Sequence, residues 1–233
     1  MRDPESLEAW VDEQLERLAV DSGARRLEVP ASITAAVLDR CGHFESFPGM
    51  AIPAADNDLF HAPAACYHVY TELQGARLST DETMTVVARC ARNESGADVE
   101  PGRLKHFRMR EVVFVGAPGW VTRQRDGWMQ RAASFAASLG LSGSMEAATD
   151  TFFGDPGRGR RLIQQLKTLK YELRVSVGGA GTLALASFNL HETFFTSRFD
   201  IGMADGSPVA SGCAAFGIER WALAHTAQRH ASL

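Results

Sequence analysis

Two strand-like runs, Met84–Ala91 and Phe107–Gly116, flank a polar loop at Asn93–Gly102 that carries Gly96 and Pro101-Gly102. Both runs are short, rich in β-branched or aromatic residues and bounded by turn residues, the pattern of neighbouring strands in a hairpin. Further strands are expected at Cys66–Leu73, Tyr171–Val177 and Thr182–Asn189. Residues 5–20 place Leu7, Trp10, Leu15 and Leu18 on one side of a helix, with charges between them. Pro30 opens a second helix running to Arg40, since proline suits a first helical turn, and Gly42 ends it. Residues 47–63, rich in Pro, Gly, Ala and Asp, read as an irregular connection. Later helices are expected at Trp120–Leu139, at 158–168 and from Phe216 to His230. Strands joined by hairpin-like loops, with helices outside, predict an α+β domain around an antiparallel sheet.

A chain of 233 residues with 45% apolar composition has ample material for a core. Its formal net charge of -4, without a basic tail, argues against a nucleic-acid binder. No apolar run approaches the roughly 18 residues that a membrane crossing needs. The first ten residues, MRDPESLEAW, are acidic and polar and do not read as a signal peptide, so a cytoplasmic location is expected. Cys41, Cys66, Cys90 and Cys213 lie far apart without CxxC pairing, which points to reduced thiols. Taken singly, each reads as a small buried hydrophobe.

Three segments together resemble the class II aminoacyl-tRNA synthetases. Ala91-Arg92-Asn93-Glu94, then a loop, then His106-Phe107-Arg108-Met109-Arg110-Glu111 resembles their second motif, a hairpin whose Arg-x-Glu grips ATP. Gly212-Cys213-Ala214-Ala215-Phe216-Gly217-Ile218-Glu219-Arg220 resembles the third, a strand feeding a helix with an arginine near its start. Phe44-Glu45-Ser46-Phe47-Pro48-Gly49 and Ser187-Phe188-Asn189-Leu190-His191 narrow the resemblance. They are similar to the atypical, zinc-dependent seryl-tRNA synthetases and their truncated relatives, the amino acid:[carrier protein] ligases. The resemblance spans about residues 40–225 and implies a class II synthetase-like antiparallel sheet flanked by helices. The first motif of the class is degenerate, residues 31–41 standing for its helix. On this division residues 1–42 are N-terminal helices serving packing or dimer contacts, and residues 43–233 form the catalytic domain.

The resemblance implies a set of roles. Cys66, Glu111 and Cys213 would hold a Zn2+ ion, leaving a fourth position open for the substrate's α-amine. Arg92 would hold the α-phosphate and the substrate carboxylate, and Arg220 the γ-phosphate end, since a guanidinium stays charged and bonds two phosphate oxygens. Glu94 would accept from the adenine amino group. Phe107 would stack on one face of the ring, with Arg220 on the other. Without the resemblance, a phenylalanine in a strand is ordinarily core, and distant Cys and Glu residues are ordinarily structural. Arg103, Lys105, Arg108 and Arg110 read as a basic lining to the same hairpin.

ATP is the implied nucleotide and Mg2+ its companion. Yet the strand Thr182–Ser187 lacks the carboxylate that class II enzymes commonly place there for Mg2+. The implied substrate is a small amino acid, glycine or alanine. The implied acceptor is an acidic, phosphopantetheinylated carrier protein, for which Arg158, Arg160, Arg161 and Lys167, with Lys170 beside them, offer a basic docking face. About 40 residues before the core and an acidic balance argue against tRNA. Transfer to tRNA or to a small-molecule acceptor, and a non-catalytic regulatory paralogue, are the competing readings. Homodimerisation is inherited from the class.

Overall fold

The structure, a computed structural model of the chain, describes residues 4–54, 58–94, 102–150, 161–177 and 181–231. The first half runs α1 (Pro4–Asp21), β1 (Arg25–Leu27), β2 (Ser32–Thr34), α2 (Ala35–Arg40), α3 (His43–Ser46), β3 (Leu59–His61), α4 (Cys66–Glu72), β4 (Arg77–Leu78), β5 (Glu82–Ala91) and β6 (His106–Gly116). The second runs α5 (Pro118–Ser138), β7 (Gly143–Ala147), α6 (residues 161–166), β8 (Lys170–Ser176), β9 (Thr182–Glu192), α7 (Phe194–Arg198), β10 (Gly202–Met203), β11 (Ala210–Gly217) and α8 (Ile218–Ala231).

The expected hairpin is at the centre. β5 pairs antiparallel with β6, Glu82 opposite Val115 and Ala91 opposite His106. The described residues extend it to a seven-stranded sheet in the order β1-β5-β6-β11-β9-β8-β7. Its neighbours are antiparallel apart from the short β1, which runs parallel to β5. Two small sheets, β2 with β3 and β4 with β10, lie outside it.

Side chains alternate across a strand, so each strand of this sheet feeds two cores. From β6, Val112 and Phe114 enter the back core with α1, α5 and α8, while Val113 and Val115 enter the front core with α2, α4 and α7. α1 buries Leu7, Val11, Leu15 and Ala19; the expected Trp10 and Leu18 flank that stripe and are half-buried. α5 opens on Pro118 and buries Val121, Trp128, Ala132 and Ala136.

Four local expectations need correction. Pro30 does not open a helix: residues 32–34 form β2, and α2 starts after Thr34, whose hydroxyl accepts from the Val37 amide at 3.3 Å. That capping bond satisfies a helix-end donor, which proline does not do. The irregular stretch 47–63 contains β3, paired with β2. Residues 66–72 are the helix α4 rather than a strand. Cys66, Tyr67, His68, Val69 and Tyr70 are all buried, and a short run buried on every side carries no periodicity to separate helix from strand. The first 42 residues, expected as helices, also include β1 and β2. No helix among the described residues is long and apolar enough to cross a membrane.

Candidate functional site

The front face of the sheet is not fully covered. A cavity of about 1100 Å3 opens between it and the α3–α4–α7 layer. Its floor is built by alternation: Phe107, Met109 and Glu111 come from β6, Cys213 and Ala215 from β11, and Asn189 and His191 from β9.

At one end Cys66, Glu111 and Cys213 converge, their ligand atoms within 4.8 Å of one another and all three residues buried. β6 and β11 bring two of them together, since Glu111 is opposite Ala215 and Cys213 opposite Val113. The start of α4 supplies the third. Glu111 Oε1 accepts from the amides of Ala65 at 2.8 Å and Cys66 at 3.1 Å. The carboxylate therefore caps the helix that carries Cys66, satisfying donors that a helix start leaves unpaired. The donor set suits a divalent cation. Hydrogen bonding to Cys213, burial and the Glu111 charge push the Cys66 thiol well above its ordinary range. A dication among the three would invert that balance, since a coordinating thiol is deprotonated outright. Two thiolates and a carboxylate fit a zinc site with one position open.

Toward the other end, Arg92 follows β5 and donates from Nε to the Pro63 carbonyl at 2.8 Å. Its guanidinium lies over the Phe107 ring, 5.2 Å from the centroid. Glu94 forms an ion pair with Arg103. Arg220, in the first turn of α8, donates to the carbonyls of Gly102 at 3.2 Å and Ala184 at 3.0 Å. Arg92, Glu94, Phe107 and Arg220 thus line the same cavity as the donor set.

Some expected residues stand elsewhere. Arg108 and Arg110 do not line the cavity; alternation along β6 turns them to the back of the sheet. Arg108 pairs with Glu8 and with Glu219, and Arg110 with Asp12 at 2.5 Å and Thr85 at 3.2 Å. Arg103 remains at the site, while Lys105 is exposed. Of the basic face, Arg158 and Arg160 lie outside the described residues. Arg161 starts the described part of α6, and Lys167 pairs with Glu192 at 2.8 Å. Lys170 belongs to the cavity, pairing with Asp150 at 2.6 Å. Cys41 and Cys90 are buried, as expected of small hydrophobic side chains.

The sequence did not single out the cavity wall made by β8. Lys170, Glu172 and Arg174 alternate onto it, with Glu172 paired to Arg174 at 3.0 Å and in register with Ser187. A carboxylate missing from residues 182–187 is thus present one strand over. His43 is another such residue. It is buried, its Nδ1 lies 3.3 Å from the Tyr67 hydroxyl, and burial plus the Arg92 charge lower its pKa to about 4. The alternation of charged with apolar or aromatic residues in 170–174 was the available signal for β8; a lone histidine offers none.

Over 97% of its length the chain matches the seryl-tRNA synthetase of M. kandleri, solved with A. aeolicus tRNASec, at a TM-score of 0.84 and 18% identity. It spans 52% of that chain. The fold is therefore that of the class II seryl-tRNA synthetases. In sequence it is 32% identical to amino acid–[acyl-carrier-protein] ligase 1 of Bradyrhizobium diazoefficiens, over 90% of this chain and 75% of that protein. It is 30% identical to the type-2 serine–tRNA ligase of Methanocaldococcus jannaschii, over 72% of this chain and 34% of that protein. No family model matches. The chain belongs to the amino acid–[acyl-carrier-protein] ligases, and it is a ligase.

Proposed function

We propose that this chain activates a small amino acid with ATP and transfers it to the phosphopantetheine thiol of an acidic carrier protein. One observation carries the reading: a buried Cys66–Glu111–Cys213 donor set shares a single cavity with Arg92, Phe107 and Arg220. A Zn2+ held by the three would supply an open position and Lewis acidity for the α-amine of the substrate.

The remaining roles belong to side chains. Phe107 offers the adenine a stacking face, and Glu94 accepts from its amino group. Arg92 holds the substrate carboxylate against the α-phosphate, and Arg220 takes the γ-phosphate end, so that fixed positive charge meets the negative charge that develops in transfer. In the first step a carboxylate oxygen bonds to the α-phosphorus and pyrophosphate departs. In the second, the pantetheine thiolate bonds to the acyl carbon, the bond from that carbon to the phosphate oxygen breaks, and AMP departs. Glycine or alanine as substrate, Mg2+ with the ATP, and a homodimer complete the proposal.

The test is amino-acid-dependent ATP–pyrophosphate exchange across the twenty amino acids, with zinc determined on the same sample. Exchange with one small amino acid, lost on chelation, followed by thioester formation on a phosphopantetheinylated carrier, is the expected result. Bound zinc without exchange would favour a regulatory, non-catalytic role.

A further inference from the structure

β9 departs from regular pairing where His191 sits. Ser211 of β11 is opposite Glu192 and Gly212 is opposite Leu190, which leaves His191 as the extra residue of a bulge. The residue after it, Glu192, has a φ of 50°, in the left-handed region that side chains rarely adopt. Gly212 allows the strands to meet there: a Cβ on it would stand 2.6 Å from the Asn189 carbonyl oxygen and 2.5 Å from the Phe114 ring.

Alternation from Asn189 already faces the His191 imidazole into the cavity, where three contacts fix it. Nδ1 lies 2.8 Å from the Tyr70 hydroxyl. The ring meets Phe195 edge-on, with centroids 4.9 Å apart. Nε2 lies 3.8 Å from Cys213 Sγ. Tyr70 is buried and stacks on the same Phe195 at 4.3 Å, so its hydroxyl is held in place too. Asn189 Nδ2 donates to the Cys213 sulfur as well, at 3.5 Å. The Cys66 sulfur faces Cys213 and Glu111 instead. The two sulfurs of the donor set therefore stand in different surroundings.

We propose that Tyr70 and His191 are a positioning relay for the Cys213 thiolate. The Tyr70 O–H donates to Nδ1, which places the ring proton on Nε2, and Nε2–H donates to the sulfur. The inference rests on the zinc reading above. Groups that orient and hydrogen-bond a metal ligand tune the metal, and their loss weakens binding about 10- to 100-fold. A hydrogen-bonded thiolate gives less charge to the ion, which then presents a more electron-poor face to a fourth ligand. It also holds its charge better against protonation.

The experiment is Co2+ substitution of the full chain, reading the sulfur-to-metal charge-transfer band, with Zn2+ affinity measured by chelator competition. His191→Phe should move the band to longer wavelength, because an unassisted thiolate gives up an electron more easily. It should also weaken Zn2+ binding about tenfold. His191→Gln keeps an N–H donor and should leave the band close to its original position. Tyr70→Phe, which removes one oxygen and leaves the stacking, should shift it in the same direction by less; it carries the test should His191→Phe fail to fold. A stoichiometric Co2+ site with superimposable spectra in these variants would overturn the relay alone. A wild-type chain that takes up neither Co2+ nor Zn2+ would overturn the zinc reading, and the relay with it.

Discussion

The Glu111 carboxylate accepts the backbone amide of Cys66 at 3.1 Å across 45 positions of sequence, so one proposed metal ligand holds the helix that presents another. Helix start and metal site are built by the same oxygen. Glu111→Ala should lower stability by about 1–2 kcal/mol through the lost cap and the orphaned amides. Glu111→Gln keeps an acceptor and should lose less, while both variants lose metal. Denaturant unfolding beside metal analysis separates the two effects; equal stability in all three proteins would remove Glu111 from the capping role.

Cys66→Ser should lose zinc and amino-acid activation together, because a serine hydroxyl is not a thiolate donor. Zinc content and pyrophosphate exchange on one preparation check this. Full exchange in a metal-free variant would sink the zinc assignment.

Arg220→Ala should abolish activation while zinc stays bound. Removing one preorganised charge partner of a transition state lowers rates by about 10²–10³-fold. An unchanged exchange rate would take Arg220 out of the site.

Arg110 is buried on the back of the sheet against Asp12 and Thr85, away from the cavity. Arg110→Ala should therefore destabilise by about 3 kcal/mol, the consequence of leaving part of a buried pair alone. Exchange per folded molecule should be unaffected. A loss of exchange with wild-type stability would contradict the placement.

The Asp150–Lys170 pair gives a pH dependence of known sign. Burial works to raise the Asp150 carboxyl, but the Lys170 ammonium and hydrogen bonds from Lys170 and Gln164 outweigh it, leaving the group below its ordinary value. A carboxyl depressed in the folded state stabilises above its unfolded value and loses that contribution as pH falls through the folded one. Below about pH 4, the usual carboxylate range, wild type should thus lose more stability than Asp150→Asn. Chemical unfolding as a function of pH checks it, and parallel curves would refute it.

What the sequence determined by itself was whatever local pattern encodes. β-Branched and aromatic runs bounded by turn residues located β5, β6, β8 and β9, and the helical stripe of Leu7 and Leu15 located α1, because such propensities and periods act within a few residues. Family likeness selected Arg92, Glu94, Phe107, Arg220 and the Cys66–Glu111–Cys213 set by their motifs, and the fold gathers them into one cavity. What the tertiary structure alone decided depends on partners distant in sequence. Cys66–Glu72 is a helix because Glu111 caps it and protein surrounds it, neither of which is written in the run itself. Alternation turns Arg108 and Arg110 to the back, but their partners there, Glu8, Asp12 and Glu219, come from α1 and α8. His191 reaches Cys213 because β9 lies beside β11, a register that two strands settle between them.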